Sequence, residues 1–135
     1  MSFQAIIFDC FGVLTGLDGN GANDELFAYI QNDLKPHYKI GLLSNVGSNI
    51  LSDLFSEDQI ALFDEKVLSY EIGTVKPDPR AYEIAATRLG ALVEECIFVD
   101  DLERFCTAAK DVGMTAVWHT DTKQTIERIK ELVSA

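Results

Sequence analysis

Four short apolar runs mark the chain, each without helical periodicity and each broken off by a polar residue. They are Ala5-Ile6-Ile7-Phe8 before Asp9, Ile40-Gly41-Leu42-Leu43 before Ser44, Cys96-Ile97-Phe98-Val99 before Asp100, and Thr115-Ala116-Val117-Trp118 before His119. Continuous apolar runs of this length are strands covered on both faces, as in a parallel sheet between helix layers. Between them the spacing turns helical. Residues 24–34 put Leu26, Phe27, Ile30 and Leu34 on one side, and residues 122–133 do the same with Ile126, Ile129, Leu132 and Val133. Residues 79–89 open with Asp78 as N-cap and Pro79 at the first helical position, and Gly90 closes them; Gly113 closes residues 102–112. Ser48 to Phe55 reads as another helix and residues 66–70 as a further short strand. Strands alternating with helices predict βαβ units: an α/β fold with a doubly wound, mainly parallel sheet in three α/β/α layers. Residues 1–135 read as one domain, with no repeat and no linker. The one composition shift is the flexible Gly16-Leu17-Asp18-Gly19-Asn20-Gly21-Ala22-Asn23 stretch after the first strand.

Ligands in such sheets bind outside the carboxyl ends of the strands. Here those ends carry Asp9, Ser44 and the pair Asp100-Asp101. Each also has a simpler use, since Ser44-Asn45 and Asp100-Asp101 stand where helix caps belong. It is the several strand ends together that make a site.

Composition narrows the options. The 135 residues are 47% hydrophobic and 24% charged, as in a globular domain. A net charge of −11 repels nucleic acid and anionic membrane, so neither is expected as a partner. It also means that an anionic substrate needs a local positive source, either a metal ion or a well-placed lysine. Cys10, Cys96 and Cys106 are too few and scattered for a disulfide framework or zinc site. A cysteine-based phosphatase needs an arginine shortly after its nucleophile, and residues 11–17 contain none. His37 and His119 have no matching partner. The first apolar run has no basic flank and is interrupted by Asp9, and no run has the length of a membrane span, so a cytoplasmic location is expected.

Phe8-Asp9-Cys10-Phe11-Gly12-Val13-Leu14-Thr15 resembles the first motif of the haloacid dehalogenase-like (HAD) hydrolase superfamily. Leu42-Leu43-Ser44-Asn45 resembles the second motif, Lys76-Pro77-Asp78-Pro79 with Tyr82 the third, and Val99-Asp100-Asp101 the fourth. The order is right and the likeness spans nearly the whole chain. It implies a Rossmann-like core in which Asp9 attacks phosphorus and carries an aspartyl-phosphate. It implies Mg²⁺ held by Asp9, Asp100 and the backbone carbonyl of Phe11, with Asp101 a ligand directly or through water. Ser44, with Asn45 and nearby backbone N–H groups, would bind the phosphoryl oxygens, and Lys76 would neutralise charge on Asp9 and the phosphoryl group.

Three departures qualify that expectation. Phe11 stands where phosphatases carry a second aspartate, which protonates the leaving oxygen and later activates water. Such help is worth roughly 10²–10⁴-fold in rate, so slow or leaving-group-dependent chemistry is expected. Phe105 stands where phosphatases of this branch commonly carry asparagine. Capped relatives insert a helical module after the first motif; here only about a dozen residues fill that gap, enough for a flap and not for a cap. The open site would suit a phosphorylated small molecule or a macromolecular phosphoester, or be covered by a second subunit in a homo-oligomer. The expected function is therefore a Mg²⁺-dependent phosphomonoester phosphatase of weakened activity. The alternative is a catalytically impaired binding or regulatory module. A 2-haloacid dehalogenase is disfavoured by Asp100-Asp101, and a receiver-like domain by the late position of that acidic pair.

Overall fold

The computed structural model describes residues 2–16 and 19–134. Leu17 and Asp18 of the glycine- and asparagine-rich stretch lie outside the described residues. The chain runs through β1 (Ala5–Phe8), α1 (Asp24–Tyr29), β2 (Lys39–Ser44), α2 (Leu51–Leu54), α3 (Glu57–Ile60), β3 (Glu65–Leu68) and α4 (Ser69–Ile72). It continues through α5 (Pro79–Arg88), β4 (Cys96–Asp100), α6 (Glu103–Val112), β5 (Thr115–Trp118) and α7 (Thr122–Ser134). All strand pairs are parallel, in the order β3-β2-β1-β4-β5. The doubly wound sheet expected from the apolar runs is therefore present. No helix among the described residues is long and apolar enough to cross a membrane.

Strand alternation sorts the core into two halves. Ile6, Phe8, Ile40, Leu42, Ile97 and Val99 pack on one face with Leu26, Phe27 and Ile30 of the first helical segment and Ile129 of α7. Ala5, Ile7, Leu43, Val67 and Phe98 point to the other, against Ala81, Tyr82 and Ala85 of α5 and Phe105 and Ala109 of α6. Gly41 allows the closest approach on that face, because a Cβ there would lie 2.7 Å from Leu89 Cδ1.

Three elements differ from the sequence reading. The 24–34 helix is α-helical only to Tyr29 and finishes as a π-helix over Ile30–Leu34. Ser48–Phe55 is helical only over Leu51–Leu54, and a separate turn of helix follows at Glu57–Ile60. That turn starts on a reciprocal capping box of Ser56 and Gln59. The expected 66–70 strand ends at Leu68, where Ser69 begins α4.

Chain order places the chemistry. The polypeptide builds β2 and β3 to one side of β1, then crosses to build β4 and β5 on the other. Ligand crevices form where strand order reverses in this way. The reversal lies at the β1/β4 pair, whose carboxyl ends carry Asp9 and Asp100.

Candidate active site

Asp9 leaves β1 with its N–H donating to the Val99 carbonyl at 2.9 Å, so its position is fixed by the neighbouring strand. The turn after it is tight: the Cys10 carbonyl accepts from Leu14 N–H at 2.8 Å, and Gly12 takes a positive φ of 85°. Asp100 is fully buried at the end of β4 and uses its two oxygens differently. Oδ1 accepts from the Leu102 N–H at 3.0 Å, a turn contact two residues on that leads into α6, whose N-cap is Leu102 and which carries no side-chain cap. Oδ2 accepts from Lys76 Nζ at 2.8 Å. The cap that the sequence suggested for Asp100 is therefore absent, and its other oxygen faces the lysine.

Lys76 is the centre of the arrangement. It is only 2% exposed, and its ammonium donates at 2.8 Å to Asp9 Oδ1 as well as to Asp100 Oδ2. The Phe105 ring centroid lies 5.0 Å from the same nitrogen and the Phe98 centroid 5.5 Å away. Two carboxylates and two ring faces replace the water that the ammonium loses. Phe105, whose role the sequence left undefined, therefore contacts the lysine through its π face. Phe105 is itself held from α5, where buried Tyr82 donates its hydroxyl to the Phe105 carbonyl at 2.8 Å.

The Lys76 backbone is fastened to β2. Asn45 Nδ2 donates to the Lys76 carbonyl at 3.0 Å, and the Lys76 N–H donates to Asn45 Oδ1 at 2.9 Å. Asn45, expected to meet substrate, thus spends its side-chain amide on positioning the lysine. The next residue is secured too, since Ser69 Oγ accepts from the Val46 N–H and donates to its carbonyl, both at 2.9 Å. Ser69 had no signal in the sequence, because the contact exists only once β3 lies beside β2.

Asp101 is half-buried and completes an oxygen cluster: one carboxylate oxygen each from Asp9, Asp100 and Asp101 lies within 4.8 Å of the others. Three carboxylates against one ammonium leave a net −2 when all are ionised. All-oxygen ligands with that residual charge suit a hard divalent cation such as Mg²⁺, whose opposed ligand oxygens stand roughly 4.2 Å apart. The donor set fits the ion. Without a cation, Asp9 is raised from 3.8 to about 7, foremost by burial, with Lys76 lowering it and Asp100 raising it. Asp101 is also raised, by burial and by Asp100 beside it.

A cavity of about 230 Å³ opens over these groups, lined by Asp9, Phe11, Ser44, Asn45, Lys76, Asp101, Leu102 and Phe105. Every sequence-predicted site residue except Asp100 lines it, and Asp100 lies directly beneath. Phe11 is half-buried, and its ring meets the flap: a Cβ at Gly19 would lie 2.9 Å from Phe11 Cε1. His119 does not line the cavity. It is buried with Nδ1 2.7 Å from Thr125 Oγ1, and burial lowers its pKa.

Residues 31–113 match the family of haloacid dehalogenase-like hydrolases. The chain belongs to that family. The matched segment contains Ser44, Lys76, Asp100 and Asp101, while Asp9 precedes it. A phosphatase of Mycobacterium tuberculosis is 38% identical over 82 residues, which are 58% of this chain and 37% of that protein. The chain thus spans about a third of that relative's length. Among solved structures, a protein of Corynebacterium glutamicum superposes with a TM-score of 0.85 at 23% identity, covering 98% of this chain and 96% of that one. A HAD-family enzyme of Bacteroides thetaiotaomicron, in complex with magnesium and inorganic phosphate, gives 0.72 at 16% identity, covering 91% and 98%. These likenesses establish the HAD fold.

Proposed function

We propose that this HAD-family hydrolase is a Mg²⁺-dependent phosphomonoester phosphatase that works through an aspartyl-phosphate on Asp9. The observation carrying the reading is the buried Lys76 ammonium shared at 2.8 Å between Asp9 and Asp100, beneath a cavity that Ser44 also lines. Asp9 Oδ1 is held by the lysine, which leaves Oδ2 to attack phosphorus. The bond from phosphorus to the leaving oxygen breaks as the bond to Asp9 forms. Water then attacks the aspartyl-phosphate, releasing inorganic phosphate and restoring the carboxylate. Ser44 and Lys76 stabilise the phosphoryl oxygens as charge gathers on them. A divalent cation held by Asp9, Asp100, Asp101 and the Phe11 carbonyl would supply further positive charge against the phosphoryl group.

Phe11 limits the rate, because neither proton transfer has its usual acid or base. Residues 9–23 separate β1 from α1, which leaves little room for a cap, so the site is read as open. Phe11 also favours a second reading, a phosphate-binding module that keeps the site without turning over.

The deciding assay is Mg²⁺-dependent release of phosphate from an activated aryl phosphate. Wild-type activity should disappear in Asp9→Asn and on chelation; activity that survives Asp9→Asn excludes the mechanism. An inert wild type, with turnover appearing only in Phe11→Asp, would establish the binding module instead.

A further inference from the structure

We infer that the site is built for aryl phosphomonoesters, in which a single flat apolar ring leaves on an oxygen that departs without a proton. The inference rests on the phosphatase reading above and narrows its substrate class. Two independent features meet in it, one concerning the bond that breaks and one concerning the group that leaves.

The first is the set of proton donors at the cavity. Its lining side chains are those of Asp9, Phe11, Ser44, Asn45, Lys76, Asp101, Leu102 and Phe105. Asp9 is the nucleophile, Asp101 belongs to the metal-binding oxygens, and Lys76 is committed to two carboxylates. The Asn45 amide is tied to the Lys76 backbone, and a serine hydroxyl is far too weak an acid to protonate a departing oxygen. Among the described residues the lining thus offers no free acid, and the electron pair of the breaking phosphorus–oxygen bond rests on the leaving oxygen, which takes its proton from water afterwards. A phenolate tolerates this, since a phenol has a pKa near 10. An alkoxide, as left by a sugar or glycerol phosphate, does not.

The second feature is the wall. Phe11, Leu102 and Phe105 put apolar surface around the phosphoryl-binding groups, and Leu102 is 38% exposed. The Phe11 ring is itself backed by the flap at Gly19. Beyond the groups committed to the phosphoryl transfer, the described lining residues include no side chain free to receive the hydroxyls of a polyol. The cavity of about 230 Å³ has room for a phosphoryl group with one ring beside it. The phenylalanine that removes the acid thus also supplies part of the surface for a leaving group that needs none.

The test is a leaving-group series with Mg²⁺: 4-nitrophenyl phosphate, phenyl phosphate, acetyl phosphate and glycerol 2-phosphate. The expected result is a steep fall in kcat/KM as the phenol becomes less acidic, about tenfold or more from nitrophenyl to phenyl, with glycerol 2-phosphate lower still. Acetyl phosphate, which has a good leaving group and no ring, should show a KM about tenfold above that of the aryl esters. Phe11→Asp should flatten the series and raise turnover of glycerol 2-phosphate. Equal kcat/KM for phenyl and glycerol phosphates in the wild type overturns the inference while leaving the phosphatase reading intact. Absence of turnover by wild type and Phe11→Asp alike fails the phosphatase reading itself. The wall is then read by binding with Mg²⁺ present: phenylphosphonate tighter than methylphosphonate upholds the ring subsite, and equal affinity overturns it.

Discussion

Replacing Lys76 by methionine removes the one cation between two buried carboxylates while keeping an unbranched side chain against Phe98 and Phe105. The side chain of Lys76 is 1% exposed, that of Asp100 0% and that of Asp9 12%, so water does not replace the lost ammonium in the native fold. Asp9 and Asp100 then face each other with Asp101 within 4.8 Å. Breaking a buried pair by removing one partner costs about 3–5 kcal/mol. Here the remaining carboxylates also repel, which favours the upper part of that range. Against a total stability of about 5–15 kcal/mol this is about a fifth or more, and it corresponds to a fall in Tm on the order of 10–20 °C. The assay is thermal and urea unfolding of wild type and Lys76→Met at pH 8 in EDTA, repeated with Mg²⁺ and at pH 5. Mg²⁺ should restore much of the loss, because a divalent cation addresses the same oxygens. Acidification should restore part of it, because the carboxyls can then be buried as neutral acids. A Lys76→Met protein within about 0.5 kcal/mol of wild type at pH 8 in EDTA would refute the electrostatic account.

Metal-free protein should lose stability as pH rises from about 4 to about 7. Asp9 keeps its proton in the native state up to about 7 and in the unfolded chain only to 3.8, a contribution of up to about 4 kcal/mol. His119, lowered by burial, has the opposite slope, so the measurement is the difference between wild type and Asp9→Asn in urea unfolding from pH 5 to 8 in EDTA. Mg²⁺ should abolish that difference in slope. Gly41→Ala should cost about 1–3 kcal/mol in denaturant unfolding, because its Cβ would lie 2.7 Å from Leu89 Cδ1. Tyr82→Phe should lose about 0.5–1.5 kcal/mol through its hydroxyl bond to the Phe105 carbonyl, with unfolding midpoint as the readout.

The parallel sheet was legible because each buried strand is a continuous apolar run, a pattern that survives without knowledge of its neighbours. Asp9, Ser44 and Asp100 were legible for the same reason, as polar residues ending such runs. The short helices after β2 were harder. Leu51–Leu54 and Glu57–Ile60 are one turn each, too short for a 3.6-residue period to declare itself. The π-helical end of the first helix was likewise hidden, since a π turn keeps apolar residues on nearly the same side as an α turn. Asp100 at the end of β4 carried two readings in sequence, cap and site; in the fold one oxygen closes a turn to the Leu102 N–H, short of a helix cap, and the other accepts from Lys76.

By itself the sequence determined the fold class, the strand ends that bear chemistry and the absence of an acid at Phe11, because these depend on residue type and local spacing. Only the tertiary structure decided what those groups do to one another. Lys76 and Asp9 are 67 positions apart and Lys76 and Asp100 are 24 apart. No local pattern reports that one buried ammonium holds both carboxylates. The same holds for Asn45, whose amide reads as a substrate contact until β2 places it against the Lys76 backbone, and for Phe105, whose ring acquires a role only under that ammonium. Burial supplies the physical reason: a carboxylate, an amide or a ring changes function when water is removed, and water is removed by neighbours that are distant in the chain.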